Sequence, residues 1–184
     1  MHAFPATVAI AIAILSLCMA PRAAQAQDAR DQFLATLKSL CGQQFEGTLT
    51  YPADAGHDFA GKRLLADVAV CSETEVRVPF HVGADRSRTW IISRTPSGLA
   101  LQHEHRHADG TPDAVTMYGG MASATGSAVS QSFLADAYTA ELVKGAATNV
   151  WTLSVSADGG TLTYHLERDA RPRATVVLKR RLPG

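Results

Sequence analysis

The chain has 184 residues with 17 basic and 17 acidic side chains, 46% hydrophobic and 18% charged. That composition is ordinary for a folded domain and excludes a disordered one. The charge balance argues against nucleic acid as the default partner and against a polybasic membrane anchor, so no nucleic-acid partner is expected.

Residues 1–26 read as an export signal. Met1 to Ala20 is almost uncharged and contains the apolar run Val8–Leu15, and Ala24-Gln-Ala26 is the small-x-small pattern of a cleavage site. Cleavage after Ala26 leaves residues 27–184 as one β-rich domain with 16 basic and 17 acidic residues. The apolar run is too short to span a bilayer, and no later segment approaches the roughly 20 apolar residues of a spanning helix. The expected place is the periplasm or the cell exterior.

Cys18 would leave with the signal, and the large Leu17 before it is unlike the small residue that precedes a lipidated cysteine. Cys41 and Cys71 remain. An even pair in an oxidising compartment predicts a disulfide that closes a loop of 30 residues. Such a staple adds roughly 3–4 kcal/mol in the chain-entropy model. No CxxC spacing marks either sulfur for redox work.

Residues 28–41 predict a helix, since Phe33, Leu34, Leu37, Leu40 and Cys41 recur at three- and four-residue intervals. Gly42 is placed to end it. Beyond Gly42 the period becomes two. Phe45–Tyr51, Leu64–Val70, Val76–Phe80, Thr89–Thr95 and Leu99–His107 read as strands, as do Ala114–Tyr118, Ala128–Phe133, Asn149–Ser156, Leu162–Glu167 and Arg173–Lys179. Asp158-Gly-Gly160 and Pro96-Ser-Gly98 mark hairpins, and Ala108-Asp-Gly110 a turn after the histidines. Residues 135–144 predict a second helix, with Gly145 as its stop. The expected fold is all-β: an antiparallel meander of about 8–10 strands closed as a small lipocalin-like (calycin-like) barrel, with an N-terminal helix.

Val78-Pro-Phe-His-Val-Gly-Ala-Asp-Arg-Ser-Arg-Thr-Trp90, His103-Glu-His-Arg-His-Ala-Asp-Gly110 and Thr116-Met-Tyr-Gly-Gly120 together resemble a group of uncharacterised secreted or periplasmic bacterial proteins. The resemblance runs over most of the mature chain. It implies a shared fold and export, and no activity.

The histidine strand is the most distinctive local feature. Leu99, Leu101, His103, His105 and His107 share one face of an extended segment, while Gln102, Glu104 and Arg106 take the other. Imidazoles two residues apart have Cα atoms about 6.5 Å apart and can chelate one ion, whereas His103 and His107 are separated by about 13 Å. A zinc or copper site would therefore combine His105 and His107 with a residue such as His81, Asp85, Asp109 or Asp113. The alternative is a polar strand end whose histidines meet solvent or Arg–Glu partners.

Arginine forms a second pattern: Arg86, Arg88 and Arg94 alternate with Ser87, Thr89 and Ser93 beside Trp90. The planar guanidinium suits a carboxylate or phosphate, so this strand is a candidate for holding a small-molecule or anionic ligand. Cross-strand pairs with Glu73, Glu75 or Glu104 explain the same residues without a ligand. Phe80, Trp90, Tyr118, Trp151 and Tyr164 supply core or a pocket wall.

No GxSxG elbow, P-loop, GxGxxG or HExxH motif is present. The expected protein is a small exported binding barrel with no catalysis assigned, and its ligand residues are Arg86, Arg88, Trp90, His103 and His105. The alternatives are a metal-dependent enzyme on His81, His105 and His107, and an envelope interaction module with no small-molecule site.

Overall fold

A computed structural model describes residues 22–52 and 56–182, the first seven of them as backbone alone. Most of the expected export signal, residues 1–21, lies outside the described residues. Helix α1 (Arg22–Ser39) includes residues 22–26 and covers the predicted helix 28–41 except Leu40 and Cys41, which form a turn. Phe33, Leu34, Leu37 and Leu40 are buried, as the spacing requires. Gly42 ends the turn after α1 at φ +79°, a conformation glycine adopts without a Cβ penalty.

Eleven strands follow: β1 (Gln44–Tyr51), β2 (Leu64–Asp67), β3 (Val70–Cys71), β4 (Glu75–Val82), β5 (Asp85–Thr95), β6 (Gly98–His105), β7 (Tyr118–Ser127), β8 (Ser130–Ala135), β9 (Val150–Val155), β10 (Thr161–Arg168) and β11 (Arg171–Arg180). A short helix α2 (Ala137–Leu142) separates β8 from β9, capped by Asp136, which accepts from the Thr139 N–H.

From β4 to β11 each strand pairs antiparallel with the next. β11 then pairs with β1, β1 with β2, and β2 with β4, which closes a ten-stranded barrel. Closure leaves no free edge among those ten strands. The extra strand β3 takes up the β4 ladder where β2 stops. The expected calycin-like barrel with its leading helix is therefore the fold.

Two predicted strands differ. The run Leu64–Val70 breaks after Asp67, because Val68 turns inward and exchanges backbone hydrogen bonds with Gly42 and Gln43 at the end of the helix segment. Val70 consequently faces out, 49% exposed. The disulfide between Cys41 and Cys71 fastens the same junction. The second difference is the predicted strand Ala114–Tyr118: residues 114–117 are loop, and β7 starts at Tyr118 and runs on through Gly119 and Gly120. Those glycines act as strand residues: a Cβ would fall 1.9 Å from the Leu101 carbonyl oxygen at Gly119 and 1.6 Å from that of Leu134 at Gly120. Two glycines in a row read as a turn in sequence, and only the approach of β6 and β8 explains them otherwise.

Helix α1 covers one end of the barrel. Arg30 donates to the carbonyls of Ala122 and Ser123 on β7 at 3.0–3.2 Å, and Arg94 of β5 donates to Asp31 of the helix. The opposite end carries the β1–β2, β6–β7 and β8–β9 connections and stays open.

Candidate functional site

Along the inward faces, side chains change character from the helix end to the open end. β5 runs Ile92, Trp90, Arg88; β6 runs Leu99, Leu101, His103, His105; β9 runs Val155, Leu153, Trp151, with Asn149 just before its start; β10 runs Leu162, Tyr164, Leu166, Arg168. The register sets these in layers, with Ile92 opposite Leu101, Trp90 opposite His103, and Arg88 opposite His105. Aliphatic residues thus fill the closed end, aromatics the middle, and polar groups the mouth.

At that mouth lies a cleft of about 340 Å³. Its wall is built from Arg88, His105, Tyr118, Asn149, Trp151, Tyr164, Leu166 and Arg168, with His57, Asp58 and Phe59 contributed by the β1–β2 connection. A narrow extension of about 40 Å³ shares Arg88, His105, Tyr118 and Tyr164 and reaches down to Phe80, Trp90 and His103. The volume lies at the small end of the range for ligand clefts, roughly 300–1,000 Å³.

The aromatic floor is a continuous stack. Phe80 lies 4.4 Å from Trp90, and Trp90 lies 4.9 Å from Tyr164 with the two rings nearly parallel. His103 stacks on Tyr118 at 4.9 Å and tilts against Trp151 at 5.1 Å.

His103 is 4% exposed and both ring nitrogens are engaged. Nδ1 lies 3.2 Å from the Tyr118 carbonyl oxygen, which only accepts, so Nδ1 carries the proton. Nε2 therefore accepts from the Tyr164 hydroxyl at 3.2 Å. Burial pushes the His103 pKa down to about 3, against the Tyr118 carbonyl bond that favours the cation. Burial also pushes the Tyr164 hydroxyl well above its ordinary value. This pair is a satisfied polar element of the core, neutral at pH 7.

His105 is half-buried at the cleft, its Nε2 3.1 Å from the Tyr118 hydroxyl. Burial first, and then the Arg88 charge, lower its pKa. Arg88 donates to Asp85 and its guanidinium lies 5.8 Å from the Phe59 ring centre, so its charge is already paired. Burial raises the Asp85 carboxyl, but hydrogen bonds from Ser87 and Arg88 outweigh it and hold the pKa at about 2. Arg168 differs. Its Nε–H donates to the buried Asn149 Oδ1 at 2.8 Å, and among the described residues it forms no ion pair.

Of the residues expected to hold a ligand, Arg88 and His105 line the cleft, while Trp90 and His103 lie beneath it in the stack. Arg86 lies outside, exposed, donating to the carbonyls of Gly83 and Asp85 at the β4–β5 turn. The three histidines expected to share a metal are not brought together. His81 alternates with the buried Phe80 and Val82, so it points out of the barrel, 3.9 Å from Asp67. His105 points in. His107 lies past the end of β6, exposed on a loop, its N–H donating to the Thr111 carbonyl. Among the described residues no group of three His, Cys, Asp or Glu side chains is arranged to hold a metal ion.

Arg168 and Asn149 were missed as site residues. The signal was present: Leu162, Tyr164, Leu166 and Arg168 pass from apolar to cationic along one strand face, as the histidine strand does. Phe59, His57 and Asp58 carried no periodic signal because they belong to a long connection. No protein-family model, curated protein or solved structure matches the chain.

Proposed function

We propose that this protein binds a small organic molecule in the open mouth of its barrel and acts outside the cytoplasm. The observation that carries the reading is the 340 Å³ cleft, in which an aromatic floor meets two arginines, two imidazoles and a buried amide. A few convergent polar groups over an apolar base is the usual composition of a ligand site. Strand pairing closes the barrel, so the side chains that its strands set at the cleft are held in place before any ligand arrives. The signal-like segment at residues 1–26 and the Cys41–Cys71 disulfide support an exported protein. Among the described residues no helix is long and apolar enough to cross a membrane.

Intrinsic fluorescence tests the reading directly. The chain has two tryptophans, Trp151 in the wall of the cleft and Trp90 beneath it. A panel of small aromatic and aliphatic acids, amides and amines is expected to contain compounds that shift or quench this emission saturably. A panel without one such compound, on protein that melts cooperatively, defeats the proposal.

A further inference from the structure

We infer that the molecule taken at the mouth is an organic monocarboxylate, anchored by Arg168 with its apolar body against Trp151 and Leu166. This inference rests on the binding reading above and adds the chemical class.

The argument begins with charge. Two guanidiniums line the cleft, but Arg88 is already paired with Asp85. Arg168 is half-buried at the wall, and its one hydrogen bond among the described residues engages Nε. The two terminal nitrogens remain for a partner. Asn149, 4% exposed, is a neutral acceptor, so it orients the guanidinium without cancelling its charge. A half-buried cation fixed by a neutral buried amide has one unit of charge to satisfy, and a carboxylate matches its planar fork.

The surroundings limit the charge further. Asp58 stands at the cleft and disfavours a second negative group there. His105 in the wall is kept neutral by burial and by Arg88, and His57, on the β1–β2 connection, uses its Nδ1 to accept from the Phe59 N–H. Among the described residues a dianionic phosphate ester would therefore find one unpaired guanidinium where it needs two. Behind Arg168, along the same strand face, come Leu166 and then Tyr164, with Trp151 paired across from Leu166. That order sets an apolar surface next to the anion anchor, inside a volume that suits an aryl or short alkyl acid.

The experiment uses the purified chain, with isothermal calorimetry and tryptophan emission as readouts. The probes are benzoate, phenylacetate and hexanoate, their primary amides, and phenyl phosphate. The expected result is that at least one acid binds about 10- to 100-fold tighter than its own amide. In Arg168→Gln that ratio collapses to within about threefold, with the amide's affinity retained, while Arg86→Gln behaves as the parent. Arg168→Lys, which keeps the charge and loses the fork, is expected to fall between and serves if the glutamine variant melts early. Equal binding of acids and amides, a preference for phenyl phosphate, or an acid preference that survives Arg168→Gln overturns the monocarboxylate while leaving the cleft as a binding site. Silence from every probe, amides included, overturns the monocarboxylate, and silence from the wider panel with amines overturns both readings.

Discussion

Arg168 and Asn149 meet at the barrel mouth, where the arginine Nε–H donates to the buried amide oxygen at 2.8 Å. They come from adjacent strands, at the end of β10 and just before β9. The contact fixes the direction in which the remaining guanidinium N–H groups point. Asn149→Ala is accordingly expected to weaken acid binding by about 3- to 10-fold and to lower stability by about 1–2 kcal/mol. Calorimetry and denaturant melts read the two effects separately. Unchanged affinity in a variant of lowered stability would show that Asn149 serves the fold and not the anchor.

The neutral core histidine makes stability fall in acid. His103 has a pKa of about 3 in the folded chain against an ordinary 6.5, so the unfolded chain takes up the proton first. Stability is full above pH 6.5, declines as the pH falls toward about 3, and levels off below it. His81 and His105 are also lowered, burial being the first cause in each, and act in the same direction. Asp85, held at about 2, adds its loss only below its ordinary 3.8. Glu46, lowered from its ordinary 4.5 by the Arg63 hydrogen bond, adds its loss from about pH 5.5 downward. Melts between about pH 5.5 and 6.5 therefore isolate the histidines, and His103→Gln is expected to reduce the slope by up to about 1.4 kcal/mol per pH unit. An identical slope in the variant would mean that His103 is protonated in the fold.

Tyr164 supplies the proton that His103 Nε2 accepts. Tyr164→Phe keeps the ring stacked on Trp90 but leaves a buried nitrogen without its donor. The expected loss is about 1–3 kcal/mol in chemical denaturation, with the aromatic near-ultraviolet signal retained. A variant as stable as the parent would mean that another donor reaches the nitrogen.

The disulfide joins the end of the helix segment to β3 across 30 residues. Replacing Cys71 by Ala is expected to cost about 2–5 kcal/mol. Intact mass after alkylation of unreduced protein should show neither Cys41 nor Cys71 modified. Alkylation of both thiols in protein recovered from an oxidising compartment would contradict the bond.

Glycine substitutions should separate packing from turn geometry. Gly120→Ala drives a Cβ to 1.6 Å from the Leu134 carbonyl oxygen, so β7 and β8 must part, and the expected cost is about 3 kcal/mol or more. Gly110, at φ +85° with nothing within 4 Å of a Cβ, should cost only the left-handed conformation, about 1–2 kcal/mol. Equal melting temperatures for the two variants would refute the close approach at Gly120.

Much of this was written in local order. Period two along Val76–Phe80, Leu99–His105 and Leu162–Glu167 set which side chains face the interior, and Gly42 and Asp158-Gly-Gly160 set where the chain turns. The cysteine pair was legible because only two cysteines follow the signal-like segment. Tertiary structure decided what periodicity does not encode. His81 and His105 were candidates for one site, yet they belong to opposite faces of the wall, because β4 turns Phe80 inward and His81 outward. Gly119 and Gly120 form a strand because two neighbouring backbones crowd them. Arg88 and Arg168 look alike in sequence, but one is paired with Asp85 and the other is oriented by a neutral amide. Burial and pairing depend on groups brought together by barrel closure, and that Arg168 pairs with no carboxylate among the described residues is a property of that closure.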